Sequence, residues 1–187
     1  MNSMLRSYKN VIIFIVFFII IVVGTFYIFN SMEHDNNDIA LITLSDTTVV
    51  ISNDLPMTDE VGKAIDADSN KVGTTGYLEF EVKSNVDSKI RYEIYLTKNS
   101  VKAEVPQKFV KVYLTDSNDM KLKNYDRPSV FYDLENLSGD KDSKVVFSGT
   151  LKGNTSQKFR LRMWVADTYE LTSDARKFSV KLNVRVK

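Results

Sequence analysis

The sequence predicts an all-β ectodomain, an antiparallel β-sandwich of about eight or nine strands, preceded by a single N-terminal transmembrane helix. Three observations carry this. Apolar residues recur at every second position through most of the chain, amphipathic helical stretches are nearly missing, and a long uncharged run sits near the N-terminus.

The uncharged run spans Val11 to Phe29, softened only by Gly24, Thr25 and Tyr27. As a helix it would reach about 28 Å at 1.5 Å per residue, close to the roughly 30 Å hydrocarbon thickness of a bilayer. Arg6 and Lys9 precede it, and Glu33, Asp35 and Asp38 follow. Basic flanks stay in the cytoplasm, so the N-terminus is predicted inside and the C-terminal bulk outside. This divides the chain into a cytoplasmic stretch 1–10, a signal-anchor or special signal segment 11–29, an acidic linker 30–38 and an ectodomain 39–187. A secretory signal peptide has a shorter apolar region that ends in small residues; here the exit reads Thr25-Phe26-Tyr27-Ile28-Phe29, which is bulky. A retained anchor predicts a single-pass membrane protein. Cleavage would make the product extracellular.

Beyond the linker the pattern has period two, so each strand buries one face and wets the other. In "GYLEFEVKS" Leu78, Phe80 and Val82 share a face. "KIRYEIYLTK" groups Ile90, Tyr92, Ile94 and Leu96, and "KFVKVYLTD" groups Val110, Val112 and Leu114. "SKVVFSGTL" offers Val145, Phe147 and Leu151; "QKFRLRMWVAD" offers Phe159, Leu161, Met163 and Val165. "KFSVKLNVRVK" repeats the pattern through Phe178, Val180, Leu182, Val184 and Val186. "IALITL", "TTVVIS" and "SVFYDL" predict shorter strands, with Ser, Asn, Asp and Gly between the runs as turn formers. The one helical signal is "TDEVGKAIDAD", a turn or two capped by Thr58, with Val61 and Ile65 facing inward.

Composition narrows the function classes. The 187 residues carry a formal net charge of +1 with 26% charged side chains, which gives no bulk reason to expect nucleic acid. The absence of cysteine leaves an exported domain to be held by its core alone, which suits a bacterial envelope. The only histidine, His34, lies in the linker, and neither H-E-x-x-H nor G-x-S-x-G occurs. Zinc hydrolysis and nucleophilic catalysis therefore lack their ligands and bases. No catalytic, cofactor-binding or metal-ligating residue is expected.

Two weaker features concern binding. Oxygen-rich stretches at Asp66–Asn70, Asp116–Asp119 and Gly139–Asp142 faintly resemble calcium loops. In the first, Lys71 stands where glycine is needed and Tyr77 where glutamate is, and turn residues bonding their own backbone are the favoured reading. The outward phases of the last two long strands are basic: Lys158, Arg160 and Arg162 on one, Lys177, Lys181, Arg185 and Lys187 on the other. If those strands neighbour each other they form a positive panel crossed by Trp164, suited to a polyanion such as a cell-wall polymer. The alternative is a solvated face whose charges deter edge aggregation. Tyr95 also falls on an outward phase, and Asn136 and Asn154 head glycosylation sequons that a bacterium would leave unused.

"GTFYIFNSMEHD" resembles the end of the signal segments in TasA and camelysin-type Gram-positive surface and biofilm-matrix proteins. Gly24, Thr25, Phe26, Tyr27, Phe29, Asn30 and Ser31 follow that shape, with Tyr27 and Ile28 where the family has alanine near its cut. The resemblance implies a non-enzymatic matrix protein that forms fibres, one subunit's N-terminal segment completing the next subunit's sheet. "IALITLSDTTVVIS" is then the candidate donor, although an ordinary first strand pairing within its own domain would read the same. The alternative function is a membrane-anchored binding module for a wall polymer or protein partner.

Overall fold

Strands that alternate apolar and polar residues must stack their apolar faces, and in the computed structural model they do so as two antiparallel sheets. The structure describes residues 40–42, 48–52, 55–68, 76–123, 125–170 and 177–187. The predicted membrane segment, the linker, His34 and the processing residues Gly24 to Phe29 lie outside them.

The elements in order are β1 (Ala40–Ile42), β2 (Thr48–Ser52), a short helix α1 (Asp59–Lys63), β3 (Gly76–Ser84), β4 (Ile90–Lys98), β5 (Val110–Asp116), β6 (Ser129–Val130), β7 (Glu135–Leu137), β8 (Asp140–Leu151), β9 (Ser156–Val165) and β10 (Lys177–Val186). The first sheet runs β1-β3-β9-β5-β6 and the second β2-β10-β4-β8-β7, each five-stranded. Between them lies one apolar core. Phe80, Val82, Val112, Leu114, Phe159 and Leu161 come from the first sheet; Ile51, Ile94, Leu96, Phe178, Val180 and Leu182 come from the second. Phe147 reaches across to Phe159 at 5.9 Å between ring centroids, and Phe131 meets Phe178 edge-on at 5.1 Å. Each such side chain, fully buried, contributes about 1.5–3 kcal/mol. With no disulfide, this core holds the domain.

The inward phases of β3, β4, β5, β9 and β10 are as the period predicts. β8 departs from it. The β4–β8 register shifts between Ile94, opposite Phe147, and Tyr95, opposite Val145. Val146 is therefore the extra residue of a bulge, and it rather than Val145 is buried. Beyond the bulge Lys144 falls opposite Leu96, and its ammonium donates to the carbonyls of Tyr132 and Leu134 at 3.0 and 3.1 Å. The "SVFYDL" stretch yields only a two-residue β6 followed by a 3-10 turn, Phe131–Asp133.

Helix α1 starts as expected, with the Thr58 hydroxyl accepting from the Val61 amide at 3.5 Å. Its buried face is different. Val61 is exposed, whereas Gly62 and Ile65 face the sheet. The reason is the Trp164 indole, which lies directly beneath the helix: a Cβ on Gly62 would sit 2.2 Å from Trp164 Cδ2. Only glycine lets the helix approach so closely. The segment is stitched down by Met57, whose amide donates to the Val165 carbonyl at 2.9 Å and whose carbonyl accepts from Asp167 at 3.1 Å.

Candidate functional site

β9 sits between β3 and β5, so its outward side chains are flanked on both sides by register partners. Arg160 lies between Glu79 and Thr115, and Arg162 between Tyr77 and Tyr113. The turn after β5 and the segment carrying α1 fold over this row. Arg162 is consequently buried despite its outward phase. Its guanidinium donates to the Ile65 carbonyl at 2.6 Å, to Thr115 Oγ1 at 3.0 Å and to Asp119 Oδ1. Arg160 donates to Glu79 Oε1 and Asp119 Oδ2, each at 2.7 Å. The Tyr77 hydroxyl donates to the same Glu79 oxygen at 2.7 Å, and Arg162 lies 5.7 Å from the Tyr77 ring centre. Buried cations need such partners, because an unpaired charge away from water is costly.

The electrostatics follow from the contacts. Hydrogen bonds from Tyr77 and then Arg160 hold the Glu79 carboxyl below the usual glutamate range. Burial pushes Asp119 upward, but Arg162 and Arg160 together outweigh it and leave that carboxyl lowered. Burial first, and then the bond to ionised Glu79, push the Tyr77 phenol up to about 12. These carboxylates are therefore ionised acceptors already taken by arginine, a poor arrangement for general acid–base work near neutral pH. Beside them opens a shallow cleft of about 340 Å³ lined by Lys63, Asp66, Asp68, Tyr77, Glu79, Asp119 and the two arginines.

The predicted positive panel is not formed. β9 lies in the first sheet and β10 in the second, so Lys158, Arg160 and Arg162 do not neighbour Lys177, Lys181 and Arg185. Period two places residues on faces but does not choose a strand's neighbours, and here the chain crosses between sheets after β9. Trp164 does not cross any panel either. It is fully buried under α1, and its Nε1 has no acceptor among the described residues.

On the outer face of the second sheet, Lys177, Lys181, Arg185 and Lys187 keep the common phase along β10, with Arg91, Glu93, half-buried Tyr95 and Thr97 beside them on β4. Glu93 is 4% exposed and accepts from Arg185 at 2.7 Å and from Lys187 at 2.9 Å. The Lys187 bond lowers its pKa, burial opposes that, and Arg185 adds to the lowering. Thr97 and Ser143 share a hydrogen bond of 2.7 Å, and Asn183 donates to Thr97 at 3.2 Å.

The calcium-like turns use their oxygens locally. Asp116 Oδ1 accepts from the amides of Asn118 and Met120, both at 2.8 Å, while Asp119 is bound to arginine. Asp140 accepts from the Asp142 amide at 2.9 Å and the Ser143 hydroxyl at 2.6 Å. Asp66 and Asp68 are described, but the remainder of that stretch is not. Among the described residues no group of acidic or histidine side chains is arranged to hold a metal ion. Asn154 of the second sequon occupies a left-handed turn position at φ 52°, with its amide bonded to Asp87.

Glu79, Glu93 and Arg91 were not singled out by sequence. A cross-strand search would have found Glu79 opposite Arg160, because opposite charges pair across antiparallel strands. No family model matches this chain, and a search of curated proteins finds no match.

Proposed function

We propose that this chain is a non-enzymatic surface protein of a Gram-positive-type cell, carried outside behind residues 11–29, whose sandwich joins other copies by strand addition. The observation that carries the reading is the position of the N-terminal strands. β1 pairs with β3 at the edge of the first sheet, and β2 pairs with β10 at the edge of the second. Both edges therefore end on the segment that directly follows the linker.

β2 also carries Val49 and Ile51, 4% and 0% exposed, into the shared core. A strand with these properties acts as a plug: its main chain completes a sheet and its alternate side chains fill core positions. The same bonds and the same burial are satisfied when the strand comes from a neighbouring copy, so exchange is nearly neutral in contacts. The heterologous, head-to-tail form of that exchange builds a filament. The uncharged run Val11–Phe29 and the resemblance carried by its end, Gly24 to Ser31, support the surface location.

Sedimentation and electron microscopy of the full chain in mild detergent test this reading. Filaments or a concentration-dependent ladder of oligomers are expected, and excess synthetic peptide covering residues 39–52 should stop their growth by occupying the acceptor edges. A chain that stays monomeric at every concentration overturns strand addition.

A further inference from the structure

The two outer faces of the sandwich differ in charge, and the difference suggests a partner. On the first sheet the cations of β9 face carboxylates: Arg160 pairs with Glu79 and Asp119, Arg162 with Asp119, and Lys158 stands opposite Glu81. On the second sheet Lys177, Lys181, Arg185 and Lys187 share the outward phase of β10. Arg91 adds another cation, since its carbonyl accepts from the Lys187 amide at 2.9 Å and its side chain is exposed.

Among the described residues the opposing carboxylates are few and displaced. Glu93 answers both Arg185 and Lys187 and so leaves that cluster positive. Glu104 lies at the Lys177 end but is engaged by Lys98 at 3.2 Å. Glu135 belongs to β7, three strands from β10 and roughly 14 Å away at the spacing of neighbouring strands, beyond a Debye length of about 10 Å at 0.1 M salt. Asp140 belongs to β8, two strands and roughly 10 Å from β10, where its carboxylate already accepts from the Asp142 amide and the Ser143 hydroxyl.

We propose that this face docks a linear phosphate polymer lying along β10. The proposal is independent of strand addition, which uses the sheet edges. Lys177, Lys181 and Arg185 recur every fourth residue, about 13 Å apart along the strand, so an extended chain of repeated phosphates meets a cation at regular intervals. Lys177 and Lys181 are exposed, and neither makes an ion pair in the structure among the described residues. Such contacts release counterions from the polymer, and that release makes binding fall steeply with salt.

The test uses the full chain in nonionic detergent and long-chain inorganic polyphosphate, with affinity measured across a salt series. Saturable binding is expected, and Lys177→Gln with Lys181→Gln should weaken it about tenfold or more and lower the salt slope by about one to two units. The control Lys83→Gln with Lys158→Gln removes the same net charge from exposed positions of the other sheet and should leave binding nearly unchanged. Trp164 fluorescence reports that every variant is folded. Absence of binding at low salt, or equal loss from the two double variants, overturns the proposal. Tighter binding to anionic lipid vesicles, or to single-stranded DNA of equal charge concentration, assigns the face to another partner and also overturns it.

Discussion

Replacing Gly62 by alanine separates two effects of opposite sign. In the interior of an exposed helix the change normally stabilises by roughly 1 kcal/mol, because glycine is the poorer helix former. Here the new Cβ would lie 2.2 Å from both Trp164 Cδ2 and Cε2 and 2.7 Å from Cζ2. The indole is fully buried and cannot retreat, so the helix must lift. Lifting weakens the 2.6 Å bond from Arg162 to the Ile65 carbonyl and exposes Ile65, now 3% accessible. Overpacking of this kind costs typically about 1–3 kcal/mol, which exceeds the propensity gain. The net cost is then about 1 kcal/mol, and with a urea slope of about 2 kcal/mol per molar the midpoint should fall by roughly 0.5 M. Trp164 is the only tryptophan, so its fluorescence follows unfolding and the local packing together. In a Trp164→Phe background, followed by circular dichroism, the alanine should cost much less, since the clash is smaller. A midpoint that stays level or rises on Gly62→Ala refutes the packing of α1 on β9.

Further outcomes follow from the charged groups. Arg162→Met should destabilise by about 2–3 kcal/mol in denaturant titrations, because the Ile65 carbonyl and Thr115 hydroxyl lose a charged donor in a buried place. Glu93 gives a pH signature. Its folded carboxyl titrates below the ordinary glutamate value, so the bonds from Lys187 and Arg185 contribute fully above about pH 4.3. They are lost as pH falls through the lower folded value, and Glu93→Gln should flatten stability against pH across that acid limb while leaving the neutral limb's slope unchanged. Millimolar calcium, or its chelation, should leave the thermal midpoint unchanged, because Asp116, Asp119 and Asp140 already bond amides, hydroxyls or arginine; a clear upward shift with calcium contradicts this.

How much of the fold was legible depends on which interaction fixes each feature. Period two reports which face of a strand meets apolar neighbours, and it placed Phe80, Ile94, Leu114, Leu161 and Val180 in the core. A bulge inserts one residue without changing composition, so the Val145–Val146 pair conceals it. Outward phase also says nothing about what folds over a face. Trp164 and Arg162 point outward from β9 yet are buried, because residues 57–68 cover them. The helical reading chose Val61 as an inward residue because it is apolar, whereas the contact required the absence of a side chain at Gly62.

The site was less legible for a similar reason. Arg160 and Arg162 were visible as cations, but their partners Glu79 and Asp119 lie 81 and 41 residues from Arg160 in sequence. Asp119 stood out only as a turn oxygen. Pairing of strands that are remote in the chain converts an apparent basic stripe into a neutral network. β10 retains its positive charge because its neighbours β2 and β4 bring Thr48, Val50, Thr97, Tyr95 and a single carboxylate, Glu93, against it.

Cysteine pairing across the β2–β10 register tests the central claim most directly. The chain has no cysteine of its own, and Val50 stands opposite Ser179 in that register. Full-length protein carrying Val50→Cys and Ser179→Cys would be assembled, oxidised and run on a non-reducing gel. Strand addition predicts a ladder of covalent oligomers, because β2 of one copy lies on β10 of the next. Oxidised protein that runs only as an internally crosslinked monomer would show that β2 stays on its own sheet, and it would contradict the account.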